Sequence, residues 1–306
     1  MKYGFSLIMR GNDATPRNFV KMATRAEEWG IDALWCSSHI IVPPQGDSHY
    51  ANVHGAKYPD TWTERYWEPM TVCSYLAAHT KTITLGTSIT VLPMHNPFEV
   101  AKQVAEVDNL SEGRFVLGVG VGWFANEFQV LGQNFHDRGA RTNEALELMQ
   151  ALWDVDPVTF EGKYYQVKDA FFAPKPLQKP HPPIWVAGNS EAALKRAARY
   201  ADAWHPVRPT EEFYTKSIAD LARMEEENGR APGSVEVALK CPMTFQDAPA
   251  AEGQYPTQGR AEDIVEAIKR YEEMGTDYFV FDLVPESMDM IMETMERFAN
   301  DVKPKL

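Results

Sequence analysis

An α/β fold, a closed parallel (β/α)8 barrel, is predicted by three observations. Short apolar runs alternate with segments of helical periodicity along the whole chain. Eight such pairs fit within 306 residues, in keeping with the roughly 250 residues typical of a TIM barrel plus insertions. No composition shift, internal repeat or low-complexity segment marks a linker, so residues 1–306 read as one domain.

The elements follow in order. YGFSLI (3–8) reads as the first strand, and residues 16–30 as a helix opened by Pro16 and closed by Gly30. IDALWCS (31–37) is the second strand and residues 67–80 its helix. ITLGTSITVL (83–92) and the helix over 97–113 form the third pair, RFVLGVG (114–120) and the helix over 141–154 the fourth. PPIWVAG (182–188) with 190–201, DAWHP (202–206) with 211–229, VEVALKC (235–241) with 260–275, and DYFVFDLV (277–284) with 287–301 complete eight pairs. Two insertions interrupt the alternation. One follows strand 2 (about 40–66) and is rich in Pro, Gly, His, Tyr and Trp. The other precedes strand 5 (about 155–181) and carries two short β-like runs around Gly162.

Composition narrows the function. A net charge of −13 and the absence of a Lys/Arg cluster argue against nucleic acid and anionic membrane as partners. No apolar run approaches a transmembrane length, and the N-terminal apolar stretch is too short for a signal peptide, so a cytoplasmic location is expected. Cys36, Cys73 and Cys241 are too dispersed for a disulfide framework or a zinc site. His49 and His54 lack further ligands, and no metal is expected.

The segment RFVLGVGVGW (114–123) invites a nucleotide reading. Its Gly118, Gly120 and Gly122 space as G-x-G-x-G, so the dinucleotide fingerprint fails. Gly162-Lys163 is followed by Tyr164, so the phosphate-cradling loop fails too. At a strand end on the barrel's C-terminal face, the glycines instead suit backbone lying against a flat ligand. Gly188, Asn189 and Ser190 open a helix after a strand. They read equally as a helix cap or as a phosphate site.

WCSSHI, ITLGTSITVLPMHNP, LSEGRFVLGVGVGWFANEFQVLG, HDRGARTNEALELMQALW and PPIWVAGNSEAALKRAARYADAW together resemble the bacterial luciferase-like monooxygenase family, closest to its deazaflavin-dependent branch. The resemblance is colinear over about residues 3–206; the last third matches only as barrel pattern. It implies a TIM barrel, usually dimeric, that holds reduced FMN or coenzyme F-420 at its mouth. It implies a non-proline cis peptide at Ser88–Ile89, with Thr90 beside it, supporting the back of the ring. It implies phosphate binding at Gly188, Asn189 and Ser190, with charge from Arg138 and Arg141, and ring contact along Gly120 and Gly122. His39, at the end of strand 2, takes the place of a histidine that assists hydride or proton transfer. The usual Asp before it is Ser38 here, so its charged orienting partner is expected to be missing. Trp123 stands where sugar-phosphate dehydrogenases of the family carry a glutamate acid. With Trp62, Tyr66 and Trp67 it forms an expected apolar wall for a small apolar or aromatic substrate.

Two chemistries follow from the resemblance. With reduced FMN and O2 the protein is a monooxygenase fed by a separate reductase, the favoured reading. With coenzyme F-420 it is a hydride-transferring dehydrogenase or reductase that needs a reduced-coenzyme supply. A non-catalytic flavin-binding barrel is a further alternative. A barrel aldolase or hydrolase ranks lowest: it would need a strand-end lysine, for which only Lys240 stands near, or paired metal histidines.

Overall fold

The computed structural model describes residues 1–42, 66–283 and 287–306. β1 (Lys2–Ser6) leads to α1 (Pro16–Glu28), and β2 (Ala33–Cys36) precedes α2 (Pro69–Ala77). β3 (Thr84–Thr87), its short continuation β4 (Thr90–Val91) and α3 (Pro97–Leu110) form the third unit. β5 (Phe115–Gly120) is followed by α4 (Ala125–Val130) and α5 (Arg138–Asp154). β6 (Val158–Glu161) and β7 (Gln166–Ala170), the two short β-like runs expected around Gly162, pair antiparallel. β8 (Ile184–Ala187) with α6 (Glu191–Tyr200) and β9 (Ala203–His205) with α7 (Glu211–Glu227) come next. β10 (Glu236–Phe245), β11 (Gln258–Gly259), α8 (Ala261–Glu273), β12 (Tyr278–Leu283) and α9 (Met288–Arg297) finish the chain.

Strands β1, β2, β3, β5, β8, β9, β10 and β12 run parallel in that order, and β12 pairs back to β1. The sheet is therefore a closed eight-stranded barrel, as expected. Its helices start where capping chemistry places them. Thr15–Pro16, Glu68–Pro69 and Asn96–Pro97 each put a side-chain acceptor at the cap and a proline at the first helical position.

Strand alternation sorts side chains into two cores. Leu34 and Cys36 of β2 face the helices, whereas Ala33 and Trp35 face the barrel axis. Inside, Trp35 stacks on Trp185 with ring centroids 4.1 Å apart. Gly4 and Gly86 lie against the Trp35 indole, where a Cβ would collide with it. At the barrel's N-terminal end, two carboxylates gather loop amides. Glu27 accepts from the N–H groups of Lys81, Thr82 and Ile83. Glu225, 1% exposed, accepts from the N–H groups of Gly233 and Val235 and from the Ser234 hydroxyl.

Three local expectations change. The strand expected over 83–92 is broken: the Ser88–Ile89 peptide is cis, and β4 resumes at Thr90, paired with β5. The helix expected over 141–154 begins at Arg138. The short α4, six residues long, precedes it and is too brief to announce itself by periodicity.

The glycines of strand 4 admit close packing. A Cβ on Gly118 would strike the Thr87 carbonyl, and one on Gly120 would lie 2.7 Å from Ile89 Cδ1. Gly122, at φ +81°, meets Val91 and Phe128. The space a side chain would take is filled by the chain around the bulge and by α4.

Candidate active site

The mouth of the barrel presents two polar walls. The first is built on His39, just beyond β2. Its Nδ1 lies 2.7 Å from Glu127 Oε2, and the two side chains are 9% and 0% exposed. The other Glu127 oxygen accepts from the N–H groups of Ile40 and Ile41 at 2.7 and 3.2 Å. One buried carboxylate thus fixes the backbone after His39 and orients its ring. This corrects the expectation that His39 lacks a charged partner: the acid arrives from α4, 88 residues away, rather than from position 38. The available signal was an acid one helical turn beyond Trp123. Tyr66 and Trp123 meet the His39 ring edge to face at 5.1 and 6.2 Å, and Trp123 stacks on Phe124 at 5.0 Å. Tyr66 Oη lies 2.5 Å from Ser37 Oγ, and burial pushes its phenol up to about 12.

Trp67 joins neither His39 nor Trp123. Its indole donates to the Ala14 carbonyl at 2.8 Å and packs edge-on against Phe19, so it holds the β1–α1 loop. Trp62, His49 and His54 lie outside the described residues.

The second wall stands at the ends of β3, β9, β10 and β12. Lys240 Nζ lies 3.2 Å from Ser88 Oγ, 3.5 Å from the Ser88 carbonyl and 3.7 Å from Asp282 Oδ1. Asp282 also accepts from Arg208 at 2.7 Å. Burial alone would raise the Asp282 carboxyl, but the Lys240 and Arg208 cations hold it below the usual range. Ser88 Oγ is 2.9 Å from Nε2 of the buried His205, whose Nδ1 lies 2.6 Å from the Ala238 carbonyl. Burial, followed by the nearby Lys240 charge, pushes His205 down to about 3, so the imidazole is neutral.

A cavity of about 370 Å3 opens beside both walls. Ser6, Arg10, Asp13, Ser37, Lys240 and Asp282 are among its lining. A cleft of about 430 Å3 between residues 249–256 and α8 lies elsewhere on the molecule and holds none of these groups.

Two features fit a flat cofactor with polar edges. Thr90 Oγ1, beside the bulge, and Ser6 Oγ, in the cavity lining, are buried and have no hydrogen-bond partner among the described residues. Such hydroxyls can meet the carbonyl and N–H edge of a tricyclic ring. At the expected phosphate turn, Gly188 has φ +132°. Ser190 caps α6 through Ala193 N–H, and Asn189 exchanges two hydrogen bonds with the Val207 backbone. Those side chains are occupied and the Gly188 N–H donates to the His205 carbonyl, so the turn offers only the backbone donors beyond Gly188. Arg138 donates to the Gly122 and Phe135 carbonyls and lies 3.7 Å from the Phe135 ring centre. Arg141 is buried and consumed by Pro93, Gln133, Asn134 and Asp137. Among the described residues no cluster of His, Cys, Asp or Glu could hold a metal, and no helix is long and apolar enough to cross a membrane.

The chain is thus a TIM barrel with a cis bulge after β3 and a His39–Glu127 pair at its mouth. Residues 1–255 match the model of the luciferase-like monooxygenase family, and the chain belongs to that family. It is 31% identical over 241 residues to the F420-dependent glucose-6-phosphate dehydrogenase of Kineococcus radiotolerans, covering 77% of this chain and 66% of that one. It is 34% identical over 193 residues to the enzyme of the same name from Amycolatopsis mediterranei, covering 62% and 53%. The matched span is thus less than two thirds of either relative's length. Solved structures share the fold. A monooxygenase from Streptomyces bottropensis superposes with a TM-score of 0.80 at 19% identity, covering 99% of each chain. An F420-dependent secondary alcohol dehydrogenase, crystallised with an F420–acetone adduct, gives 0.80 at 21%, covering 99% and 98%.

Proposed function

We propose that the protein uses coenzyme F-420 to interconvert a small polar alcohol and its carbonyl compound. The observation that carries this reading is the His39–Glu127 pair. Oxidation of an alcohol removes a hydride from carbon and a proton from oxygen. The cofactor, when bound, supplies the two-electron hydride acceptor. The proton needs a base, and a histidine seated on a buried carboxylate is suited to hold it as imidazolium. Glu127 orients the ring through Nδ1, while Tyr66 and Trp123 restrict its rotation. In the reverse direction the same histidine returns the proton to the carbonyl oxygen. Ser88, Ile89 and Thr90 would support the ring, and the backbone of Gly188–Ser190 would meet the phosphate. The polar cavity and the deazaflavin-dependent relatives support the same reading.

A second reading rests on the Trp123–Phe124 stack. That apolar wall suits an oxygenase, in which reduced FMN and O2 act on an apolar substrate shielded from water. One experiment separates them. The purified protein is titrated with FMN and with coenzyme F-420, each oxidised and reduced. It is then mixed anaerobically with small alcohols and aldehydes while cofactor absorbance is followed. Tight F-420 binding with anaerobic turnover is expected. Binding of reduced FMN alone, with oxygen uptake on turnover, would overturn the proposal in favour of oxygenation.

A further inference from the structure

Lys240 lies midway along β10 with its side chain 11% exposed, and the hydrogen bonds around it run in one direction. The direction follows from what each atom can do. The Ala238 carbonyl only accepts, so His205 Nδ1 carries the proton and donates to it. His205 Nε2 is then an acceptor, so the Ser88 hydroxyl donates to it. The Ser88 oxygen is left to accept, and Lys240 Nζ donates to it. The chain Lys240 to Ser88 to His205 to Ala238 has a single polarity. It sets the cation of Lys240 beside the residue whose peptide forms the bulge, and the same lysine lines the mouth cavity.

The neighbouring charges do not cancel it. Asp282 carries one negative charge and is shared between Lys240 and Arg208, so the trio is net positive. Arg10 and Asp13 in the same lining add one charge of each sign, and His205 is neutral. A fixed cation in a partly buried site acts through a lower effective dielectric than water.

We propose that Lys240 is a positioning residue that places a fixed positive charge at the cofactor platform and biases the site toward the reduced form of the cofactor. Two-electron reduction with uptake of a single proton, the net result of hydride addition, leaves the ring system with one more negative charge, and that charge is what a neighbouring ammonium favours. The inference rests on the reading of the mouth as a flavin or deazaflavin site, and the test separates the two. Affinities of wild-type, Lys240→Met, Lys240→Arg and Asp282→Asn proteins are measured for oxidised and reduced FMN and for oxidised and reduced coenzyme F-420, by anaerobic fluorescence titration. With the cofactor that wild type binds, Lys240→Met is expected to lower the preference for the reduced form about tenfold. That corresponds to a midpoint potential about 30 mV more negative for two electrons. Lys240→Arg restores the preference, and Asp282→Asn, which removes the opposing charge, moves it the other way. The last variant keeps the proposal testable if Lys240→Met fails to fold. An unchanged reduced-to-oxidised ratio in Lys240→Met, or a Asp282→Asn shift in the same direction as Lys240→Met, overturns the role of Lys240 while leaving the cofactor site standing. Failure of the wild-type protein to bind either cofactor overturns both.

Discussion

Carboxylates gather backbone N–H groups at both ends of the barrel, with different results. At the N-terminal end, Glu27 and Glu225 spend their oxygens on loop N–H groups and a hydroxyl, and each closes a turn that leads into a strand. At the mouth, Glu127 does the same for Ile40 and Ile41 with one oxygen, and gives the other to His39. A single extra bond, to a titratable ring, turns a loop clamp into part of a proton-handling pair. Carboxylates at one end should therefore control stability alone, while the one at the other end should control turnover.

The largest effect is expected at His39. His39→Ala should lower kcat by about 10²–10⁴, with cofactor affinity essentially kept; steady-state kinetics and a binding titration check both halves, and undiminished turnover would sink the proton role. Next comes Glu127→Gln, which keeps the size but removes the charge behind the ring. It should lower kcat by roughly tenfold to a hundredfold and change its pH profile. A variant that lost only thermal stability, with the profile untouched, would make Glu127 the equal of Glu225 and dissolve the contrast.

At the opposite end, Glu225→Gln should cost about 2–3 kcal/mol of stability by stranding buried donors, with kcat unchanged; denaturant unfolding and kinetics on the same preparation test this. Glu27→Gln is the mildest, about 1 kcal/mol once solvent screening is allowed for. Its effect depends on pH. Burial acts to raise the Glu27 carboxyl, but its bonds to the amides of Thr82, Ile83 and Lys81 hold it down at about 2 against an ordinary 4.5. A depressed carboxyl contributes fully above its unfolded value and loses that contribution as pH falls through the folded one. The gap between wild type and Glu27→Gln should thus be widest above pH 4.5 and close as the pH is lowered towards 2. A gap constant across that range would count against the clamp.

Legibility in the sequence differed between the same two regions. The barrel could be read because its signals are local: a cap and a proline at Thr15–Pro16 or Asn96–Pro97, and an apolar run before each helix. The residues read from resemblance at the ends of neighbouring strands lie at the mouth, His39 beyond β2 and Ser88 beyond β3. What stayed hidden was set by contacts across the barrel. Glu127 and His39 are 88 residues apart, and Lys240 and Ser88 are 152 apart. No periodicity links such pairs. The packing at the glycines of strand 4 stayed hidden for a related reason: the space a side chain would take is filled by Thr87 and Ile89 from a neighbouring strand. Trp67 misled because an aromatic near a pocket in sequence need not face it, and its indole is committed to Ala14.

The two indoles stacked on the barrel axis have an optical consequence. Trp35 and Trp185 lie 6.3 and 5.4 Å from the His205 ring, directly behind Ser88. Their emission arises within a few ångströms of the platform and is shielded from solvent by the barrel wall. A coloured tricycle seated on that platform would drain the excited state by energy transfer, so the protein carries its own docking indicator, readable without a label or a substrate.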